Sequence, residues 1–182
     1  AYNNLGNYED AIADYTRALR IDPDFVDAYY NRGLTYYHLE NYEDAIADYT
    51  RAIRIDTDYA VAYYNRGLAY DKLGNYEDAI ADYTRALRIE PDYTDAYHNR
   101  GIIYGRKLGN YEDAIADFTR AIRINPDYTS AYNWRGNMHL DLGNYEDAIS
   151  DYTRAIRLDP DYAMAYRNRG IAKEYSGLPY CS

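Results

Sequence analysis

The chain has 182 residues, a formal net charge of -10 and a single cysteine, Cys181. This acidic charge argues against nucleic acid and anionic membranes as partners, because both are recognised by basic surfaces. No apolar run approaches the roughly 20 residues that a membrane span requires, and one cysteine cannot form an internal disulfide. The chain begins at Ala1, inside a repeating pattern, so the sequence leaves its localisation open.

A block that begins YEDAI recurs along the whole chain. It opens at Tyr8, Tyr42, Tyr76, Tyr111 and Tyr145, with steps of 34, 34, 35 and 34 residues. A fixed period of this length indicates a repeat architecture rather than one ordinary domain. The 27 tyrosines recur at fixed register among aliphatic residues, which favours packed structure over a disordered aromatic segment.

Each period predicts a helix hairpin. Between Val26 and Tyr59 we expect one helix over about residues 27–39 and a second over about 42–55. Asn41, with Asp44 three residues later, forms an approximate capping box at the start of the second helix. The second helix has a single apolar face, formed by Ala45, Ile46, Tyr49, Ala52 and Ile53.

A hairpin of this kind cannot bury its apolar face alone, so it must stack on its neighbours. Small residues recur at one register in each helix and would let the helices approach closely. The boundaries predict a half unit at 1–25, full units at 26–59, 60–93, 94–128 and 129–162, a C-terminal helix at 163–175 and a tail at 176–182. The recurring small residues are Gly33, Gly67, Gly101, Gly136 and Gly170 in the first helices, and Ala45, Ala79, Ala114 and Ala148 in the second helices.

This pattern resembles the tetratricopeptide repeat family, in a variant whose first helices mostly carry Asn-Arg-Gly. The family's spaced aromatic and small residues are matched by Tyr63, Gly67, Tyr70, Ala79, Tyr83, Ala86 and Pro91. The resemblance implies an all-α fold: a single array over residues 1–175 that forms a right-handed superhelical solenoid of antiparallel helix hairpins. One departure is an extra residue near Arg106 and Lys107, which we expect to bulge or lengthen the turn between the two helices of its unit.

A second departure is an arginine in every unit where the family usually has leucine. We hypothesise that these arginines pair with an aspartate that recurs in the second helices, because an unpaired cation against a packed face is costly. The alternative is that each arginine extends to water along its aliphatic stem. The arginines are Arg32, Arg66, Arg100, Arg135 and Arg169, and the aspartates are Asp14, Asp48, Asp82, Asp117 and Asp151.

The first helices differ from unit to unit, whereas the second helices are nearly copies of one another. In the family that this chain resembles, the first helices line a concave groove, which implies a peptide-binding wall here. Asparagines can pair with the peptide groups of an extended chain, and the aromatic and aliphatic neighbours would form pockets. The predicted peptide-binding residues are Asn31, Asn65, Asn99, Trp134, Asn168, Tyr30, Tyr64, His98, Leu34, Leu68, Ile102 and Asn137. The wall also includes Asn133, Arg167 and Ile171 and, toward the helix ends, Tyr37, His38, Asp71, Lys72, Gly105, Arg106, Leu140 and Asp141.

Alternatives to peptide binding remain open. The asparagines could be polar filler, and the first helices could vary only because they are less constrained. The array could instead be a structural scaffold that self-associates weakly from head to tail, or a non-catalytic domain that delivers substrates to an enzyme elsewhere in a parent chain. Head-to-tail contact would involve the apolar face of the helix after Tyr8, which we expect to be partly bare because its first-helix partner is cut.

No chemistry beyond binding is predicted. The three histidines have no second ligand at metal spacing, and there is no phosphate-binding loop or nucleophile motif. We therefore expect no enzyme activity, no cofactor and no metal. Tyr30, Asp95 and Asn99 stand where a well-known groove of the family uses basic residues to hold the C-terminal carboxylates of heat-shock chaperones, so we expect that ligand not to bind.

Overall fold

In the computed structural model the backbone is described for residues 2–177 and the side chains for residues 7–177. All regular structure in this part of the chain is helical, which confirms the all-α prediction. The chain divides into two compact units, residues 1–91 and residues 92–182. Cys181 lies outside the described residues.

The first unit contains five helices that pack in chain order. They are α1 (Tyr2–Ile21), α2 (Val26–His38), α3 (Tyr42–Ile55), α4 (Ala60–Leu73) and α5 (Tyr76–Ile89). The predicted hairpins are α2 with α3 and α4 with α5, and α3 also packs against α4. The predicted bounds of 27–39 and 42–55 therefore agree with the structure to within one residue.

The second unit also contains five helices that pack in chain order. They are α6 (Thr94–Ile102), α7 (Tyr111–Ile124), α8 (Thr129–Asp141), α9 (Tyr145–Leu158) and α10 (Ala163–Ser176). Helix α6 continues into one π-helical turn, Ile103–Lys107, which we call the π-turn. Here α6 pairs with α7, α8 with α9, and α10 packs on α9.

The ends of the helices follow the predicted signals. Asn41 caps α3, where its Oδ1 accepts from the Asp44 amide at 3.4 Å and its Nδ2 donates to the Asp44 carboxylate at 2.7 Å. Asn110 and Asp113 make the same pair of bonds at the start of α7. At the end of α4, Gly74 adopts a left-handed conformation with φ of 79°, which turns the chain toward α5.

Most of the recurring small residues lie in the core, as predicted, but Gly170 on α10 is exposed. Alanines at one register of the second helices are completely buried, and so are the aromatic residues one turn later. A Cβ added at Gly67 would lie 2.8 Å from the Tyr83 ring, so the glycine is required by close approach. These alanines are Ala45, Ala79, Ala114 and Ala148, and the aromatic residues are Tyr49, Tyr83, Phe118 and Tyr152.

Four of the predicted arginine–aspartate pairs are present. In the α4–α5 hairpin, Arg66 donates from Nε and Nη2 to the two carboxylate oxygens of Asp82, both at 2.7 Å. Its Nη1 also donates to the hydroxyl of Thr50 in the preceding second helix at 2.9 Å. Arg32 and Arg135 make the same kind of bond, to Thr16 and Thr119, so each of these three arginines ties three helices together. The other pairs are Arg32 with Asp48, Arg100 with Asp117, and Arg135 with Asp151.

The fifth arginine, Arg169 on α10, differs from these four. It donates to the Thr153 hydroxyl at 3.2 Å, but no carboxylate of the described residues lies within ion-pair distance of it. Asp14 on α1 is exposed and likewise has no arginine partner among the described residues. Four of the five predicted arginine–aspartate pairs are therefore present among the described residues.

The extra residue of the third full unit is absorbed by the π-turn. The connection from the π-turn to α7 has three residues, as has that from α2 to α3, so the connection itself is not lengthened. The expectation that the extra residue would bulge or lengthen the turn between the helices is therefore wrong, because the residue is accommodated inside the first helix. A Cβ at Gly105 would clash with the Met138 sulfur, so the backbone of the π-turn lies directly against α8.

Helix α1 has the partly bare face that the pattern predicts. Ala11, Ile12, Tyr15 and Ala18 are half-buried, whereas Leu19 is buried. At the same register as Ala11 and Tyr15, Ala45 and Tyr49 of α3 are 0% exposed. Among the described helices, none is both long and apolar enough to cross a bilayer.

Candidate functional site

The first helices carry the predicted wall, and the structure places its residues at intermediate depth. In the first unit these helices are α2 and α4, and in the second unit they are α6, α8 and α10. Eleven of the twelve predicted binding residues are half-buried, and His98 is the exception because it is buried. The wall residues therefore contribute to packing as well as to the surface.

In the first unit the wall is partly held by its own hydrogen bonds. Asn65 donates from Nδ2 to the carbonyl of Val61 at 2.9 Å and to the Tyr30 hydroxyl at 3.1 Å. Its amide nitrogen is therefore already used, and its carbonyl oxygen remains to accept from a ligand. The Tyr30 ring also packs on Tyr59, with ring centroids 5.3 Å apart, and burial raises the pKa of the Tyr30 phenol.

The remaining wall residues of the first unit are Asn31, Leu34, Tyr64 and Leu68. The side-chain amide of Asn31 makes no hydrogen bond to another described residue. Leu34 and Leu68 are half-buried, and the Tyr64 ring packs against Tyr83 with centroids 5.8 Å apart. This half of the wall therefore offers one uncommitted amide beside aliphatic and aromatic surface.

In the second unit, His98 belongs to the packing between helices. It is 8% exposed, stacks on Tyr128 with ring centroids 4.9 Å apart, and shares a hydrogen bond with Ser130 at 2.9 Å. Burial lowers the pKa of the His98 imidazole, although bonding to Asn99 and the charge of Asp95 oppose this shift. The neighbouring Ile102 is half-buried.

The second unit also contains a cavity of about 380 Å³ between α8, α10 and the π-turn. Its volume lies within the range of small-molecule and peptide-side-chain pockets. Three of the predicted binding residues, Trp134, Asn137 and Asn168, line it together. The full lining is Arg106, Asn133, Trp134, Asn137, Met138, Leu140, Asp141, Met164, Arg167 and Asn168.

The floor of the cavity is a cluster of three asparagine amides. Asn168 donates from Nδ2 to the side-chain Oδ1 of Asn137 at 3.0 Å and to the side-chain Oδ1 of Asn133 at 3.5 Å. The Tyr152 hydroxyl donates to the same Asn137 oxygen at 2.8 Å. Both carbonyl oxygens are thus used, while the amide nitrogens of Asn133 and Asn137 make no hydrogen bond to another described residue.

Charged groups stand at the rim of this cavity. The Arg106 guanidinium lies over the Trp134 ring, with its carbon 5.3 Å from the ring centroid. Arg167 donates from Nη1 to the side-chain Oδ1 of Asn168 at 3.3 Å. Partial burial raises the pKa of Asp141, and the positive charge of Arg106 opposes that shift. The rim therefore carries two cations and one anion.

Sequence reasoning placed most of this lining on the wall but missed Met138 and Met164. Met138 is buried at a register where other units have Thr35 or Ala69, and Met164 is exposed on the first turn of α10. Repeat alignment also could not show that the π-turn brings Arg106 onto Trp134. Among the described residues, no group of three or more histidine, cysteine, aspartate or glutamate side chains could hold a metal ion.

Comparison with known families supports the repeat pattern. Tetratricopeptide repeat models match residues 26–59 and 60–93, residues 82–116, and residues 104–163 and 135–172. A further TPR repeat model matches residues 1–40. The comparison with curated proteins gives no significant match.

Several solved structures are similar to this chain. The crystal structure of MamA is 28% identical, with a TM-score of 0.82, over 88% of this chain and 94% of that one. YrrB, described as a TPR protein with an unusual peptide-binding site, is 26% identical, with a TM-score of 0.78, over 89% of this chain and 83% of that one. The first TPR domain of Spaghetti (RPAP3), bound to the HSP90 peptide SRMEEVD, is 29% identical, with a TM-score of 0.64, over 68% of this chain and 97% of that one.

Proposed function

The chain belongs to the tetratricopeptide repeat family, and from this premise we propose that it is a non-catalytic scaffold that binds an extended peptide along its first helices. The second helices are almost identical and serve packing, whereas the variable side chains lie on the first helices. Two of the similar structures, those of YrrB and Spaghetti, are described with a peptide-binding site or a bound peptide.

One observation carries this proposal: the wall holds amide groups whose hydrogen-bonding capacity is not used within the protein. The side-chain amide of Asn31 makes no hydrogen bond to another described residue. The side-chain oxygen of Asn65 and the side-chain nitrogens of Asn133 and Asn137 are likewise available to a ligand. A peptide backbone presents alternating donors and acceptors, so it can satisfy such groups whatever its sequence. Trp134 and the aliphatic residues beside these amides would then select among side chains.

The proposal is tested by a peptide-array screen followed by point variants of the protein. For the strongest peptide, Asn31→Ala and Trp134→Ala should each weaken binding, the asparagine change by about 1 kcal/mol for a lost neutral hydrogen bond. Asn144→Ala is the matched control, because Asn144 is an exposed asparagine before α9 whose side chain makes no capping bond. The proposal would be overturned if both wall variants left the affinity of the peptide unchanged and substitutions of exposed residues on α5 or α9 abolished its binding.

A second candidate function, self-association, is favoured by the face of α10. Arg169 lacks a carboxylate partner among the described residues, and a Cβ at Gly170 would meet nothing within 4 Å. The exposed Asp14 on α1 of a second copy has the charge that Arg169 needs. Sedimentation velocity over a wide concentration range should then show association that Asp14→Asn weakens. A mass that stays monomeric at every concentration would exclude this candidate.

A further inference from the structure

We infer that the cavity of the second unit binds the side-chain carboxylate of an aspartate or glutamate within an extended peptide. This inference rests on the proposed peptide-binding function and narrows it to one class of ligand. The cavity is the one lined by the three asparagines, Trp134 and the two rim arginines. Nothing in the repeat pattern alone assigns this preference.

Hydrogen-bond donors outnumber acceptors in the cavity. The carbonyl oxygens of Asn133, Asn137 and Asn168 all accept from within the protein. The groups that remain are four donors, namely the amide nitrogens of Asn133 and Asn137 and the two guanidinium groups, and one acceptor, the Asp141 carboxylate at the rim. Asn133 is only 1% exposed and lines the cavity, and its amide nitrogen has no partner among the described residues. A ligand that fills this space must supply acceptor oxygens.

The charge of the cavity lining also favours a carboxylate ligand. Two arginines and one aspartate line the cavity, which gives a formal charge of +1 within a chain whose net charge is -10. A guanidinium is suited to a carboxylate because its N–H groups match the spacing of two oxygens. A neutral ligand would leave this local excess of positive charge unused.

The depth of the donors distinguishes a side-chain carboxylate from a chain terminus. On the floor, Asn133 is buried and the other two asparagines are half-buried, whereas Arg106 and Arg167 are exposed at the rim. A terminal carboxylate on the floor would be buried without a cation, which is costly. A peptide backbone on the floor instead satisfies the amides with its carbonyl groups and directs an acidic side chain to the rim.

The site depends on features that the first unit lacks. At the registers of Asn133 and Asn137, the first unit has Tyr30 and Tyr64, and Leu34 and Leu68. The π-turn occurs where the repeat step lengthens from 34 to 35 residues, and it holds Arg106 over the face of Trp134. The inserted residue therefore has a role here: it builds one side of the rim.

The first experiment compares three acetylated heptapeptides of glycine and serine that differ at the centre or the end. One has a central glutamate and an amidated C-terminus, the second has glutamine in its place, and the third has glutamine and a free C-terminal carboxylate. Trp134 is the single tryptophan of the chain, so its fluorescence and its indole N–H resonance report on this cavity directly. We expect the glutamate peptide to bind about tenfold more tightly than either glutamine peptide, as one charge-assisted hydrogen bond would give.

The second experiment changes the rim charges of the intact chain. Arg106→Gln and Arg167→Gln should each remove most of the glutamate preference, whereas Asp141→Asn should increase it by removing a repulsive carboxylate. The increase is informative, because damage to the fold would not produce tighter binding. Arg157→Gln makes the same change of charge at an exposed position of α9 outside the cavity and should leave the preference unchanged.

The outcomes separate this inference from the proposed function. Equal binding of the glutamate and glutamine peptides, with a response from Trp134, would overturn the carboxylate preference and leave peptide binding intact. Tightest binding of the peptide with the free terminus would replace the side-chain ligand by a chain end and overturn the inference. Absence of binding by all three peptides, together with a blank peptide array, would overturn both.

Discussion

Tyrosine hydroxyls buried at one register show how a single side chain affects stability. The hydroxyls of Tyr49 and Tyr83 are buried and have no hydrogen-bond partner among the described residues, and burial raises the pKa of both phenols. At the same register, Tyr152 donates to Asn137 at 2.8 Å, and the third full unit has Phe118, which has no hydroxyl. The tyrosine hydroxyl at this register therefore has a hydrogen-bond partner in one hairpin, and in two others it has none among the described residues.

This difference predicts opposite effects of the same substitution. Tyr83→Phe removes an unpartnered buried hydroxyl and should raise the free energy of unfolding by about 1 kcal/mol, whereas Tyr152→Phe should lower it by about 1 kcal/mol. Urea unfolding of the two variants, made side by side, measures both. Destabilisation by Tyr83→Phe comparable to that by Tyr152→Phe would show that the Tyr83 hydroxyl has a partner after all.

His98 makes the stability of the second unit depend on pH. Burial lowers its pKa from the ordinary value of 6.5, so the folded state disfavours the protonated imidazole. The contribution is fully present above that value, and it is lost as the pH falls from there toward the lower folded pKa, because the unfolded chain binds the proton more readily. His98→Tyr, with the residue that the first unit has at this register, should remove the dependence.

The measurement is urea unfolding of the parent chain and of His98→Tyr at about pH 7.5 and about pH 5.5. The parent should lose more stability between the two values than the variant does. The carboxylates contribute equally to both proteins. The extra loss in the free energy of unfolding of the parent, relative to the variant, therefore measures the contribution of His98. Parallel losses in the two proteins would mean that His98 protonates as easily when folded as when unfolded.

At the scale of helices, the connection between α2 and α3 contains a strained residue. Glu40 has φ of 59°, in the left-handed region, where the equivalent connections have Gly74, Gly109 and Gly143. A residue with a Cβ is disfavoured there. Glu40→Gly should therefore raise the free energy of unfolding by about 1 kcal/mol, and Gly74→Ala should lower it by a similar amount.

The control for this prediction is Glu40→Gln, which removes the charge and keeps the Cβ. It should leave the melting temperature close to that of the parent, while Glu40→Gly raises it. If Glu40→Gln stabilises the chain as much as Glu40→Gly does, then charge rather than backbone strain limits the stability of this connection.

The sequence predicted the hairpins well because the periodicity that forms them is local. Helix bounds, the asparagine caps and the arginine–aspartate pairs follow from residues a few positions apart or one hairpin apart. The π-turn could not be placed, since a one-residue insertion can be absorbed in a helix or in a loop, and the choice depends on contacts such as Gly105 against Met138.

The candidate site was predicted less completely for a similar reason. Register placed Trp134, Asn137 and Asn168 on one wall, and the structure brings them to one cavity. Register could not show which amide groups would bond to each other, so Asn65 and Asn31 looked alike, although only Asn65 is held by Tyr30 and Val61. Side-chain pairing across helices is a property of packing, which a one-dimensional pattern does not contain.

At the scale of the whole molecule, the main consequence of the repeat is that the first and second helices have different roles. The second helices bury the same alanine and aromatic residues in every full unit. The first helices of the full units bury a glycine and a recurring alanine and pair an arginine, whereas many of their other positions can vary without loss of the fold. A binding surface can therefore change from unit to unit on a constant scaffold.

The same organisation predicts that damage to one hairpin stays local. A Cβ at Gly67 would lie 2.8 Å from Tyr83, whereas one at Gly170 would meet nothing within 4 Å. Gly67→Ala should destabilise the α4–α5 hairpin by about 1–3 kcal/mol through overpacking. In amide hydrogen exchange, α4, α5 and the adjacent α3 should lose protection, while α8 and α9 keep it, because stability in repeat arrays is a sum of unit and nearest-neighbour terms. Gly170→Ala, the matched control, should leave exchange unchanged, and an even rise over every helix in Gly67→Ala would show instead that the chain unfolds as one cooperative unit.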